Sequence, residues 1–332
     1  MIDLEKPEIN FALETVRQAS RLVKQIQLEM VSPALTKDDR SPVTVADFAA
    51  QALVGNRLAE FFPDDVLAAE ESSSALKTPE NQAALEHITS YVSRFVPGAT
   101  VGAVCDWIDL GAAGPGGRFW VLDPIDGTKG FLRGDQYAVA LALVEDHQVK
   151  IGVLGCPNLT GARQADFEGA GSLVIAVRGQ GTWVTTLEGE TAFKKLSVSP
   201  RAEASEARIL RSFEAAHTNT GQIDRLAREL GTRTDPVRMD SQAKYALLAA
   251  GEGELLIRML SPQRRDYREK IWDQAAGSIV VEEAGGRVTD LDGKPLDFSK
   301  GRTLANNRGV LASNGVLHNA ALRALKAVES NE

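Results

Sequence analysis

Two cysteines in 332 residues, Cys105 and Cys156, leave no disulfide framework to read, and their small or apolar surroundings predict inert packing in a reducing compartment. No cluster of histidine and cysteine occurs, which excludes a zinc-type site and leaves oxygen ligands for any metal. Basic residues are the minority: 37 Lys and Arg stand against 45 Asp and Glu, a net charge of −8. Without a basic stripe interleaved with aromatics, the electrostatic footprint of a nucleic-acid surface is missing. No apolar run approaches the length of a membrane span. The segment Met1–Pro7 also lacks the basic and apolar regions of a leader, so the expected location is the cytoplasm. Repeats and low-complexity tracts are lacking too. What remains is ordinary globular composition at a length that suggests about two domains.

Apolar residues at Ile9, Leu13, Val16, Ala19, Val23, Ile26 and Met30 step by three or four and predict a long amphipathic helix. A polar loop, Thr36–Pro42, follows, then a second helix from Asp47 toward Phe62, stopped by Pro63. Pro79 fits the first turn of a third helix, with Leu85, Ile88, Val92 and Phe95 on its apolar face. The loop 111–117 holds four glycines but precedes no helix, so it reads as a connector rather than a phosphate loop. Strands are predicted at Phe119–Leu122, Ala138–Val144, Gln148–Gly155, Ser172–Arg178 and Thr182–Thr186, several joined by hairpin signals, which implies an antiparallel sheet. From Arg208 onward short strands alternate with helices, an α/β pattern. A change of composition near Val198–Pro200 divides the chain into 1–199 and 200–332.

The chemistry concentrates in residues 119–131, where an apolar strand runs into Asp123 and Asp126, then a glycine turn and the hydroxyl of Thr128. Hard oxygen ligands at a strand end can hold a small cation together with a phosphate. Taken alone, Asp-x-x-Asp-Gly is equally a surface turn. Three other segments add to it. Asp47 sits where a helix N-cap would be, Glu70 and Glu71 follow the apolar Val66–Ala68, and Asp273 lies near the start of a helix running toward Glu283. Each has a dull explanation, as a cap or a solvated charge. An acidic protein acting on an anion would need bound cations to invert the local charge.

Together these segments resemble the lithium-sensitive, magnesium-dependent phosphomonoesterase superfamily that includes the inositol monophosphatases. Asp-Pro-Ile-Asp-Gly-Thr (123–128) carries that likeness. Lys-Gly-Phe-Leu-Arg-Gly (129–134), Ser-Gln-Ala-Lys-Tyr (241–245) and Tyr-Arg-Glu-Lys-Ile-Trp-Asp (267–273) narrow it to the 3'(2'),5'-bisphosphate nucleotidase family. The likeness spans about Phe11 to Asn314, and the stretch Ser261–Asp266 is slightly longer than the family pattern. It implies an αβαβα layered sandwich, α+β in its first part and α/β in its second, with a metal site between them.

By that resemblance Glu70, Asp123 and the carbonyl of Ile125 hold a first Mg²⁺, while Asp123, Asp126 and Asp273 hold a second; a third, weaker ion at Glu70 stays open. Asp47 accepts the Thr128 proton, so that Thr128 can draw one from the attacking water. Residues matching Thr128, His217, Ser241, Lys244, Arg258 and Asp273 contact the substrate, with Lys244 and Arg258 suited to a second phosphate. Lys129 and Arg133 are either cleft cations or solvated. The implied reaction converts 3'-phosphoadenosine 5'-phosphate to AMP and phosphate in a monomer, and by extension removes the 3'-phosphate of its 5'-phosphosulfate. Alternatives are an inositol polyphosphate 1-phosphatase or inositol monophosphatase, and, in another class, a non-catalytic nucleotide sensor. The spacing of Asp123 and Asp126 excludes the Asp-x-Asp aspartyl-nucleophile phosphatases.

Overall fold

The computed structural model describes residues 2–29, 35–36, 42–43, 45–114, 116–189, 192–213, 220–259 and 267–330. Its first layer is helical: α1 (Pro7–Glu29), α2 (Val45–Phe61), α3 (Gln82–Ser93) and α4 (Val101–Asp109). Helix α1 follows the predicted periodicity, burying Ile9, Leu13, Val16, Val23 and Ile26. Helix α2 starts two residues earlier than expected, so Asp47 lies within its first turn, buried.

Behind these helices stands a seven-stranded sheet: β1 (Val66–Ala69), β2 (Arg118–Asp126), β3 (Ala138–Glu145), β4 (Gln148–Cys156), β5 (Ser172–Val177), β6 (Gly181–Thr186) and β7 (Lys194–Lys195). The spatial order follows the chain order. Every neighbouring pair is antiparallel except β1 and β2, which run parallel with Ala69 opposite Leu122. The short helix α5 (Thr128–Arg133) leaves the end of β2.

Alternation along β2 serves two cores. Trp120 and Leu122 join the core formed with α1–α4, while Phe119 and Val121 face the opposite layer. That layer contains α7 (Ala243–Ala249) and α8 (Ala275–Glu283), preceded in the chain by β8 (Ile209–Arg211), α6 (Thr220–Glu229) and β9 (Val237–Arg238), and interleaved with β10 (Leu255–Arg258). Then come β11 (Arg287–Thr289), β12 (Val310–Ser313) and α9 (His318–Ser330). The second sheet has the order β9-β8-β10-β12-β11. Its outer face packs on α6 and α9 around Ile223, Leu226, Leu255, Leu311 and Leu325. The result is the αβαβα sandwich the sequence implied, and none of the described helices is long and apolar enough to cross a membrane.

Helix α8 lies close on the first sheet because Gly152 faces it. A Cβ there would come within 2.8 Å of the Ala276 carbonyl and 2.4 Å of Ile279 Cγ2. Close docking of α8 sets the depth at which Asp273, two residues before the helix, meets the end of β2.

Between the second sheet and α9, His318 is fully buried. Its Nε2 lies 2.9 Å from Thr289 Oγ1, whose own proton goes to the Asp290 carbonyl. Nδ1 lies 2.8 Å from Ser313 Oγ. This network fits a neutral ring with the proton on Nε2 and Ser313 donating to Nδ1. Burial first, then Arg287, lowers its pKa from 6.5 to about 4. The unfolded chain therefore takes up a proton that the folded chain refuses, and stability is lost as pH falls through that interval. Urea unfolding should show a loss on the order of 2 kcal/mol between pH 7 and pH 5 that His318→Gln largely abolishes. An unchanged pH slope in the variant would assign the loss to other groups.

Candidate active site

Asp123 and Asp126 sit three apart on one strand, and strict alternation would send them to opposite faces of the sheet. The pairing with β3 corrects this. Asp123 lies opposite Ala140 and Asp126 opposite Ala138, so two residues of β2, Pro124 and Ile125, face one residue of β3. Such a bulge re-aims the strand beyond it, and Pro124 has no N–H to lose from the ladder. The phase change is visible in the packing: Val121 faces α8, whereas Ile125 joins the core on the α1–α4 side. Asp126 is thereby brought to the face where its Oδ2 accepts from the Gln242 N–H at 2.8 Å.

Gly127, at φ +91°, then turns the chain into α5. A side chain there is strained in φ and would place a Cβ 2.8 Å from Ser241 Cβ. Ser241 itself adopts φ +66°, a left-handed conformation rare for serine, and its Oγ accepts from the Ala243 N–H at 3.1 Å. Thr128 Oγ1 donates to the Ile125 carbonyl at 3.2 Å.

Glu70 and Glu71 emerge at the end of β1, as the sequence suggested. Glu71, however, is buried rather than solvated. The Gln51 side chain holds this turn from α2: its Nε2 donates to the carbonyls of Glu71 and Ile108, both at 2.7 Å, and its Oε1 accepts from the Glu71 N–H at 2.9 Å.

Burial raises the pKa of Asp123 well above the usual carboxylate range, and Glu70, Asp126, Asp273 and Asp47 push it further. Burial likewise raises Asp126, opposed by Lys244 and Arg258 and by its bonds from Gln242. Asp273 is raised by burial, with Arg258 acting against Glu269, Asp126 and Glu70. Six acidic groups from four segments (Asp47, Glu70, Asp123 with Asp126, and Glu269 with Asp273) therefore share one electrostatic neighbourhood. Asp123 Oδ1 is buried with no hydrogen-bond partner among the described residues. A buried carboxylate oxygen facing like charges without a donor is a costly arrangement that a divalent cation would satisfy. The all-oxygen donor set fits a hard cation. Among the described residues, no three acidic, histidine or cysteine side chains already converge tightly enough to enclose one ion.

Beside this cluster stand two cations. Lys244 Nζ lies 2.9 Å from the Ser241 carbonyl and 3.1 Å from Ser212 Oγ, and burial lowers it to about 8 against the pull of Asp126 and Asp240. Arg258 forms ion pairs with Glu269 (2.7 Å) and Asp273 (3.5 Å). Although burial opposes its charge, Glu269 and Asp273 raise it well above its ordinary value. Arg133 is ion-paired with Asp135 at 2.9 Å and with the buried Asp240, which also accepts from the Phe213 N–H at 3.1 Å. It is thus a link between the two halves rather than a solvated charge. His217 and the stretch Ser261–Asp266 lie outside the described residues. Sequence reasoning missed Gln51, Gln242 and Arg302. Only Gln242 carried a signal, as a member of the quoted Ser241–Tyr245 segment.

In comparison with known proteins, residues 5–330 match the family model of the inositol monophosphatase family. A 3'(2'),5'-bisphosphate nucleotidase from Oryza sativa is 42% identical, covering 96% of this chain and 93% of that protein. One from Emericella nidulans is 41% identical, covering 94% and 96% respectively. Among solved structures, an IMPase from Thermotoga maritima superposes with a TM-score of 0.68 at 24% identity, covering 98% of this chain and 99% of that one, which shows a shared fold.

Proposed function

The chain belongs to the inositol monophosphatase family, and within it we propose that the protein is a 3'(2'),5'-bisphosphate nucleotidase, hydrolysing the 3'-phosphate of 3'-phosphoadenosine 5'-phosphate to give AMP and phosphate. Its 5'-phosphosulfate analogue would lose the same 3'-phosphate, leaving adenosine 5'-phosphosulfate. The observation that carries the substrate class is the pairing of two cations, Lys244 and Arg258, with the acidic cluster: both act electrostatically on Asp126. A single phosphate ester needs only the acidic side once cations are bound. A second phosphate needs fixed positive charge beside it, and Lys244 and Arg258 supply that. Full-length likeness to proteins of that name supports the same reading. An inositol phosphatase shares the carboxylates, but the Lys244 segment gives it no advantage.

On this reading residues 1–199 contribute most of the acidic site and residues 200–332 the nucleotide side. Glu70, Asp123 and the Ile125 carbonyl hold one magnesium ion; Asp123, Asp126 and Asp273 hold another, and Glu70 is the place for a weaker third. Bound there, magnesium supplies charge stabilisation to the phosphoryl oxygens and makes water acidic enough to attack near neutral pH. Asp47, buried in the first turn of α2, accepts the Thr128 proton, and Thr128 takes one in turn from the attacking water. Thr128 must first turn its hydroxyl away from the Ile125 carbonyl, a rotation about one side-chain bond. Ser241, Lys244 and Arg258 orient the nucleotide, with His217 and Asp273 completing the substrate contacts.

Lys244→Met tests the substrate assignment. Wild type should favour the bisphosphorylated nucleotide over inositol monophosphate, and the variant should lose that preference by about 10²-fold in kcat/KM, the scale of a lost charge-assisted contact. An unchanged ratio would remove Lys244 from nucleotide recognition and weaken the assignment with it.

A further inference from the structure

Trp272 immediately precedes Asp273 and is gripped from two directions. On one side, Gln242 Nε2 donates to the Trp272 carbonyl at 2.9 Å, while Gln242 Oε1 accepts from the Gly277 N–H at 2.9 Å in the first turn of α8. A carbonyl can only accept and an N–H can only donate, so these two partners fix the orientation of the amide. The backbone N–H of the same Gln242 reaches Asp126 at 2.8 Å. One buried residue thus connects Asp126, at the end of β2, with the segment that carries Asp273.

On the other side, the Arg302 guanidinium stacks 4.8 Å from the centre of the Trp272 ring. Its donors go to the first half of the chain. Nη1 donates to the carbonyls of Gly111 (2.8 Å) and Ala113 (3.3 Å), and Nη2 donates to the carbonyl of Ala69. Ala69 is the residue before Glu70. A planar fork that bonds several carbonyls while its face lies on an indole has a geometry lysine cannot reproduce.

We propose that Gln242 and Arg302 are positioning residues which, acting through Trp272, fix Asp273 relative to Asp126 and to Glu70, so that carboxylates from the two halves of the chain form a single cation site. The need is physical. Without a cation these carboxylates repel one another, and any slack between the halves lets them separate. Both straps use uncharged acceptors, backbone carbonyls and an indole face, and the amide is neutral, so neither competes with the cation for the carboxylates except through the one N–H on Asp126. Outer partners of this kind typically change metal affinity by about 10–100-fold when removed.

The proposal rests on the magnesium reading above, and the test separates the two. Mg²⁺ binding is measured by titration calorimetry, alongside melting temperature with and without Mg²⁺, for wild type, Gln242→Met, Gln242→Glu, Arg302→Met and Arg302→Lys. Arg118→Met is the control, because Arg118 is held by Asp65, Glu145 and Glu8 within the first half. Gln242→Met and Arg302→Met should each weaken Mg²⁺ binding by about 10–100-fold, with the milder Arg302→Lys falling between. Arg118→Met should melt earlier yet bind Mg²⁺ as wild type does. Wild-type affinity in the folded strap variants, or equal weakening in Arg118→Met, overturns the proposal. If a methionine variant does not fold, the Gln242→Glu and Arg302→Lys proteins decide by the same criterion. Absence of Mg²⁺ binding by wild type would instead remove the metal reading beneath it.

Discussion

Asparagine in place of Asp123 should reduce turnover by more than about 10³-fold and, in the same protein, raise the melting temperature of the metal-free form. Both effects follow from one circumstance. The carboxylate is buried, its Oδ1 has no donor among the described residues, and Glu70, Asp126, Asp273 and Asp47 all disfavour its charge. Folding without a cation therefore carries a penalty, whether the group is ionised against its neighbours or protonated against its ordinary preference. Removing the charge should recover on the order of 2 kcal/mol, or about 3 °C in a chain of this size. On the proposed magnesium site the same substitution would also remove a carboxylate meant to hold the metal, so activity should fall while stability rises. Differential scanning calorimetry in chelator, paired with phosphate-release kinetics, checks both halves. A variant that is less stable without metal would mean that Asp123 serves as a structural hydrogen-bond acceptor instead.

The second large effect belongs to Asp47. On the proposed relay, Asp47→Asn should lower kcat by about 10²–10⁴-fold with KM within a few-fold of wild type, because an asparagine could not accept the Thr128 proton. The competing explanation is a helix-end role for a residue in the first turn of α2. That role predicts a stability loss of about 0.3–1 kcal/mol, from the charge lost at the helix N-terminus, and near-normal turnover. Steady-state kinetics together with urea unfolding distinguishes the two, since one variant protein cannot satisfy both patterns.

The sequence carried much of this arrangement because its signals are local. The period of α1, the alternation of β2 and the hairpin signals between strands each depend on residues adjacent in the chain. The Asp-Pro-Ile-Asp-Gly-Thr run likewise announced its carboxylates, although not the bulge at Pro124 and Ile125 that puts both on one face. Helix α4 was not legible: it is nine residues long, and its N-terminus is marked only by Thr100, whose Oγ1 accepts from Ala103 at 3.3 Å. Nor could sequence reveal that Glu71 is buried, since its burial depends on Gln51 reaching across from α2. Arg302 shows the limit best. It lies 233 residues from Ala69, the residue whose carbonyl it binds, and nothing around it repeats or alternates in a way that marks such a contact. Arg258 shows a second limit. Its charge was legible, but its engagement with Glu269 and Asp273 arises only when β10 and the start of α8 come together.

The most direct measurement is Mg²⁺-dependent phosphate release from 3'-phosphoadenosine 5'-phosphate, AMP and inositol 1,4-bisphosphate, side by side and with a chelator control. Rapid release is expected from the bisphosphorylated nucleotide, little from AMP, slower release from the inositol compound, and none in chelator. Preference for inositol 1,4-bisphosphate, or release that persists without a divalent cation, would contradict the proposed function.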